Sequence, residues 1–323
     1  LAQAPAAVIQ APPREWSWLD VPESRCADGD PTGIGVSLVP GADQLMIYMV
    51  GGGACWNDAT CTVGTAANLW GYGKRQFERD RIKRWTLFDR AEPRNPFRDA
   101  SQVLLPYCTG DVHAGRLVQD YAVGPVRVTR HHMGAVNVAA MLPRLTATFP
   151  HVKRVFVVGV SAGGFGAQLN FPAYVRAFPN ATVTLLADSA QLIPPKGAVV
   201  DEWVAQWGIA IPADCVGCGN DFPAYVRYLP RKYPSSTFGL LVSLRDFTIR
   251  TFFGFPLEPR RFQEATERLL DDYEATPNTF YFARKGTRHG YLSRVKKLKK
   301  AADVATYTWL TELAAGRAQS SRP

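Results

Sequence analysis

A mixed α/β chain, with a mostly parallel central sheet and helices on both faces, is the fold class this sequence predicts. Three observations carry it. Apolar runs of strand length recur and are nearly continuous rather than alternating, as strands buried on both faces read. Amphipathic stretches of helical period lie between several of them. Strands that alternate with helices join parallel neighbours by crossovers, which puts helices on both sides of the sheet.

In chain order, Gly33 to Val39 and Gln44 to Val50 are joined by Pro40-Gly-Ala-Asp43 and predict an antiparallel hairpin at the sheet edge. Ser101 to Leu105 is the next strand, and Met133 to Phe149 an amphipathic helix. Arg154 to Gly159 is a strand and Gly163 to Phe178 a helix. Strands follow at Thr182 to Ala187, Phe238 to Ser243 and Thr279 to Ala283, with Arg260 to Glu274 a helix before the last of them. The basic stretch Arg294 to Lys300 leads into a final helix, Ala301 to Ala315. Residues 190–235 break this rhythm with Pro194-Pro195, Cys215, Cys218 and Pro230, and predict a cap or lid over one end of the sheet. Their aromatic residues Trp203, Trp207, Phe222 and Tyr225 suit cap packing or the lining of an acyl or sugar site. Residues 21–323 read as one domain behind a loose Ala- and Pro-rich N-terminal arm over 1–20.

Composition bounds the function. Hydrophobic residues make up 46% and charged residues 20% of the 323, a globular balance that excludes a disordered chain. No apolar run approaches the roughly 18 residues that cross a bilayer. Thirty-seven Lys and Arg against 28 Asp and Glu leave a net charge of +9, which reads as generic surface charge, with an anionic polymer such as a uronate polysaccharide as the partner it could steer. No nucleic-acid module accompanies that charge. Six cysteines, with close pairs at 55/61 and 215/218, fit up to three disulfides in an oxidising compartment. With the Ala/Pro-rich start after Leu1, they predict a secreted or periplasmic protein.

The chemistry is written most sharply in Gly159-Val-Ser161-Ala-Gly163, a G-x-S-x-G turn between a strand and a helix. That context lifts a serine hydroxyl above the sheet as a nucleophile, and the helix N-terminus behind it favours developing negative charge. A serine needs a base, and the base an acid to orient it. In this chain order, Ser then Asp or Glu then His, His289 is the base, because His113, His131, His132 and His151 all precede Ser161. Those four read as surface or helix-end histidines. For the acid there are two positions: Asp246 after the strand that precedes the histidine strand, and Asp188 one strand earlier. The ordering favours Asp246, and Asp188 then caps the turn that follows it. Gly51-Gly-Gly53 follows a strand and offers bare backbone N–H groups. Gly52, Gly53 and the amide of Ala162 then form the oxyanion hole. The fold this describes is the α/β-hydrolase fold.

These residues carry a family resemblance. Gly51-Gly-Gly-Ala-Cys55-Trp-Asn-Asp-Ala-Thr-Cys61 resembles the oxyanion segment of the pectin acetylesterase and Notum family. Pro106-Tyr-Cys108-Thr-Gly-Asp111-Val-His-Ala-Gly115, Gly159-Val-Ser161-Ala-Gly-Gly164 and Ala187-Asp188-Ser189 are similar to further blocks of that family, in family order. Gly53 and Ala54 stand where Notum-like members carry a bulky aromatic. The resemblance implies a Ser161, Asp246, His289 triad, the oxyanion hole just named, and a Cys55–Cys61 disulfide bracing that loop. Cys215-Val-Gly-Cys218 lacks the partners of a zinc site and reads as a structural disulfide in the cap, which leaves Cys26 and Cys108 to pair by elimination.

The expectation is an exported serine carboxylesterase that needs no metal or organic cofactor. Its substrate is an acyl ester, with acetyl on a polysaccharide favoured. A lipase or polyester depolymerase is the alternative within the enzyme class, and a non-catalytic binding protein on a hydrolase scaffold the alternative outside it.

Overall fold

The computed structural model describes residues 7–219, 221–293 and 298–323. The first half contains β1 (Ser17–Val21), β2 (Thr32–Ser37), β3 (Gln44–Met49), α1 (Asp58–Val63), α2 (Lys74–Asp80) and β4 (Ser101–Leu105). A ribbon of β5 (Leu117–Val123) and β6 (Val126–His132) follows, then α3 (Gly134–Thr148), β7 (Arg154–Val160), α4 (Ala162–Leu169) and α5 (Phe171–Ala177). The second half holds β8 (Thr182–Asp188), α6 (Val199–Trp207), α7 (Phe222–Lys232), β9 (Thr237–Ser243) and α8 (Phe247–Phe252). It ends with α9 (Pro259–Glu274), β10 (Thr279–Arg284) and α10 (Ala301–Ala314).

Eight strands form one sheet in the order β1-β2-β4-β3-β7-β8-β9-β10. The ladders from β4 through β10 are parallel, and β1 and β2 run antiparallel at one edge. Successive side chains of a strand point to opposite faces, and β7 uses this fully. Val155 and Val157 enter a core with Leu142, Leu145 and Phe171, whereas Phe156 and Val158 enter a second core with Phe97, Leu310 and Leu313. Both faces are therefore buried, which is why the strand runs lack alternation. Order, parallel ladders and helices on two faces make this the α/β-hydrolase fold.

Two expectations at the sheet edge are corrected. The segments around β2 and β3 are not a hairpin: β4 lies between them, antiparallel to β2 (Gly35 opposite Leu104) and parallel to β3 (Ile47 opposite Val103). The residues joining them reach easily over one intervening strand, a span of about 10 Å. The expected arm over 1–20 also ends early, because Ser17–Val21 is β1, in register with β2. Trp18 packs its ring on Tyr72 and Phe77, and Trp16 on Phe77 and Phe88. Residues 1–6, and 294–297 of the basic stretch, lie outside the described residues.

The helix expected over Gly163 to Phe178 is broken at Asn170 into α4 and α5. Asn170 Nδ2 donates to the Gly166 and His113 carbonyls, and Pro172 opens the second helix. Within 190–235, α6 packs near the glycine loop, while α7 is the crossover that a parallel β8–β9 pair requires. The cysteines pair as Cys26–Cys108, Cys55–Cys61 and Cys215–Cys218. The first ties the N-terminal segment to the residues after β4.

Candidate active site

The serine turn is built by close approach. A Cβ on Gly159 would lie 2.0 Å from the Gly163 carbonyl oxygen, and one on Gly163 2.0 Å from that of Met49. Only glycine fits at either position. Between them Ser161 adopts φ 56°, ψ −126°, a conformation that costs energy for any residue but glycine. Its N–H donates to the Asp188 carbonyl at 2.8 Å, and its side chain faces a groove at the C-terminal edge of the parallel strands. Ser161 is the N-cap of α4, so the free N–H groups of the first helical turn lie directly behind its hydroxyl.

Asp246 follows β9 and is fully buried. Its Oδ1 accepts from the Ile249 N–H at 3.0 Å and so caps α8. His289 Nδ1 stands 2.9 Å from Oδ2 and 3.1 Å from Oδ1 of the same carboxylate. A carboxylate can only accept, so Nδ1 carries the proton and Nε2 is left as the basic nitrogen. Ser161 and His289 line one groove of about 490 Å3, with Tyr48, Trp85, Thr248 and Ser293. Among the described residues the Ser161 hydroxyl makes no hydrogen bond. In unliganded enzymes such contacts often close only on substrate.

Asp188 is the other acidic candidate, and the structure does not bring it to the histidine ring as a hydrogen-bond partner. It is fully buried at the end of β8, where Oδ2 accepts from the N–H groups of Tyr291 (2.6 Å) and Leu292 (2.8 Å). It therefore caps the segment after His289, not the turn after itself as the sequence suggested. Burial pushes its carboxyl up to about 6, against the pull of those two N–H groups, of Ser189 and of His289.

The glycine loop runs beside the serine. A Cβ on Gly51 would sit 2.2 Å from the Val160 carbonyl oxygen and 3.0 Å from Ser161 Cβ. Among the described residues the N–H groups of Gly52, Gly53 and Ala162 have no acceptor. Carbonyls of the same loop are held from behind: Tyr107 Oη donates to Gly53 O at 2.9 Å, the Ala67 N–H to Gly52 O at 2.7 Å. Cys55–Cys61 closes the loop's far end, and Trp207 Nε1 donates to the Cys55 carbonyl at 2.9 Å. Against Ser161, and bounded by Gly53 and Ala54 of the same loop, lies a recess of about 20 Å3 with the apolar walls Val112, Phe165, Trp203, Ile249, Phe252 and Phe253.

The segment 106–115 is the part that sequence reasoning undervalued. Asp111 is buried and accepts from Thr109 Oγ1 (2.5 Å) and the N–H groups of His113, Gly115 and Gly134 (3.0, 3.0 and 2.7 Å). This folds the chain so that His113 Nε2 donates to the Val50 carbonyl, 2.8 Å away, at the head of the glycine loop. His113 and His132 are buried, not surface residues, and burial holds both below the ordinary histidine value. His132 Nδ1 donates to the Thr109 carbonyl and Nε2 accepts from Tyr121. It lies beside Cys55 and Cys61, whose sulfurs are joined to each other and so are not thiolate ligands. Arg130 is likewise buried and donates to the Cys61 and Leu69 carbonyls. A cluster of chemistry-bearing side chains here serves to hold one loop.

Human palmitoleoyl-protein carboxylesterase NOTUM is 26% identical over 183 residues, 53% of this chain and 35% of that protein. The zebrafish (Danio rerio) palmitoleoyl-protein carboxylesterase notum1a is 22% identical over 215 residues, 59% of this chain and 41% of its own. The chain thus spans between a third and about two fifths of the length of these relatives. The crystal structure of the Wnt deacylase Notum from Drosophila superposes with a TM-score of 0.69 at 20% identity, covering 96% of both chains, and shares the fold. The Pectinacetylesterase family profile matches residues 19–207, which include Ser161 and the glycine loop and end before Asp246 and His289. Because that match takes in more than half of the chain, the protein belongs to the pectinacetylesterase family.

Proposed function

We propose that this protein is a serine carboxylesterase in which Ser161 is the nucleophile, His289 the general base and Asp246 its orienting acid. The observation that carries the reading is the convergence of Ser161, at its strained turn, and the Asp246-paired His289 on one groove. His289 Nε2 takes the hydroxyl proton as Ser161 Oγ attacks the ester carbonyl. The negative charge that develops on the carbonyl oxygen is met by the N–H groups of Gly52, Gly53 and Ala162. The alcohol leaves with the proton held by His289, and water, activated in the same way, frees the acyl group from Ser161.

The two spaces beside Ser161 argue for the substrate. The recess of about 20 Å3 has room for one group of the size of water or a methyl, and its walls are apolar. An acetyl group suits it, and a long fatty acyl chain does not. The groove is far larger and mixes an aromatic face, Trp85, with the hydroxyls of Thr248 and Ser293, which suits a bulky polyhydroxy alcohol such as a sugar of a polysaccharide. A lipase or polyester depolymerase needs the larger space on the acyl side. Three disulfides favour an oxidising, extracytoplasmic location.

Hydrolysis of p-nitrophenyl esters from acetate to palmitate, wild type against Ser161→Ala, tests this. The expected result is a maximum at acetate and loss of all activity in the variant. A folded wild type that hydrolyses none of the series and takes no fluorophosphonate label sinks the reading and leaves a binding protein on a hydrolase scaffold.

A further inference from the structure

Each of the three residues given a catalytic role sits on a different segment, and one dipeptide touches all three segments. The Asp188 carbonyl accepts the Ser161 N–H at 2.8 Å, and the Ser189 N–H donates to Leu241 O, on the strand that leads to Asp246, at 2.8 Å. The Asp188 carboxylate takes the N–H groups of Tyr291 and Leu292, and Ser189 Oγ takes that of Gly290 at 2.9 Å. Ser189 Oγ in turn donates to Asp188 Oδ1 at 2.9 Å, so the two side chains form one acceptor unit under the three residues after His289. Ser189 holds φ 52°, a left-handed conformation that a serine keeps only where its surroundings demand it. Both residues are completely buried.

We propose that Asp188 and Ser189 are positioning residues of the hydrolytic site, fixing the segment after His289 to the Ser161 turn so that the imidazole meets the hydroxyl in reacting geometry. This rests on the esterase reading of Ser161 and His289. The 290–292 segment has no strand ladder of its own, and these three bonds tie its backbone to the Ser161 turn, beside the Arg288 Nε bond to Gly290 O, the Tyr291–Ser243 hydroxyl pair and the burial of Tyr291 and Leu292. A displacement of about 1 Å costs on the order of 10²-fold in rate. Titratable groups facing Asp188 are His289 and Tyr291 on the same loop and Tyr307 on α10, and Arg288 stacks on the Tyr291 ring. With burial raising its carboxyl to about 6, Asp188 becomes protonated in mild acid. The new O–H weakens the grip on both amides and reverses the bond to Ser189.

The sign of the linkage separates positioning from bulk stability. Between an ordinary aspartate value near 4 and about 6, the folded chain holds a proton that the unfolded chain does not. Asp188 therefore contributes stability in acid that is lost as pH rises through 6, whereas its positioning role needs the ionised form above 6.

The experiment is kcat and KM on p-nitrophenyl acetate, with thermal melting, from pH 5 to 8 for wild type, Asp188→Ala, Asp188→Asn and Ser189→Ala. Asp188→Ala is expected to lose about 10²-fold in kcat with KM nearly unchanged. Asp188→Asn, which keeps an acceptor oxygen, should recover part of that loss, and Ser189→Ala should fall between. On acidification below 6, the wild type's activity advantage over Asp188→Asn should shrink while its Tm advantage grows. Wild-type kcat in Asp188→Ala overturns the proposal, as does an activity ratio that follows Tm at every pH with Asn no better than Ala. If Asp188→Ala does not fold, the Asn and Ser189→Ala variants decide by the same comparison. Amide exchange at Gly290, Tyr291 and Leu292 judges the positioning role apart from catalysis. Unchanged protection in the variants overturns it, even if the wild type hydrolyses no ester.

Discussion

Asp246 binds His289 Nδ1 at 2.9 Å with one oxygen and caps α8 through the Ile249 N–H at 3.0 Å with the other. One carboxylate thus orients the His289 imidazole and starts a helix. The two duties separate on substitution. Asparagine caps a helix about as well as aspartate, but its amide does not hold the imidazole in the tautomer that leaves Nε2 free. Asp246→Asn should therefore lose about 10⁴-fold in kcat with little change in Tm. Asp246→Ala should lose activity and, in addition, about 1 kcal/mol of stability from the missing cap. Steady-state kinetics beside thermal melts check both, and an active Asp246→Asn would remove Asp246 from the mechanism.

The acyl recess makes a second prediction. Phe252 is half-buried, packs against Trp56 at 6.1 Å between ring centroids, and walls the recess beside Ser161. Phe252→Ala opens that wall to a chain of several carbons at a cost of about 2 kcal/mol, below the value for a fully buried phenylalanine. The ratio of kcat/KM for butyrate over acetate should rise at least about ten-fold, the worth of one or two methylenes in an apolar pocket. An unchanged ratio across the p-nitrophenyl series would mean that the acyl group lies elsewhere, and that the groove on the Trp85 side holds it.

What the sequence made legible was local. The strand, serine turn and helix are contiguous in Val155 to Leu169, and the glycines that permit the turn stand beside it, so Ser161 could be placed without knowing the sheet. The choice of His289 as the candidate base rests on chain order alone. The hairpin error has the opposite origin: β4 arrives over fifty residues after β3 and enters between β2 and β3, a pairing no local pattern encodes. The β5–β6 ribbon is hard to read because half of its residues are exposed and Leu117 to Val123 does not alternate. Its Gly124-Pro125 turn pair was the signal available. His113 and His132 read as surface or helix-end residues because histidine is polar. Their burial depends on partners such as Val50 O and Thr109 O that no spacing rule supplies. The double role of Asp188 was hidden for the same reason, since its partners lie more than a hundred residues away.

The disulfides divide stability from activity. Cys26–Cys108 closes 82 residues and Cys55–Cys61 closes 6. Loop-closure entropy assigns about 4.5 kcal/mol to the longer crosslink and about 2.2 kcal/mol to the shorter. The double variant Cys26→Ala/Cys108→Ala should therefore lower Tm the more. The shorter bond, however, braces the loop that carries Gly52 and Gly53, with Arg130 holding the Cys61 carbonyl and Trp207 the Cys55 carbonyl on either side. Cys55→Ala/Cys61→Ala should cost less stability but more kcat, by about ten-fold or more if one oxyanion N–H drifts from its aim. The ranking must invert between melts and kinetics measured on the same two proteins, well below either Tm. If the Cys26–Cys108 variant lost more on both measures, the glycine loop would keep its shape without its crosslink, and Tyr107 and the Ala67 N–H, which bind the Gly53 and Gly52 carbonyls, would be its principal supports.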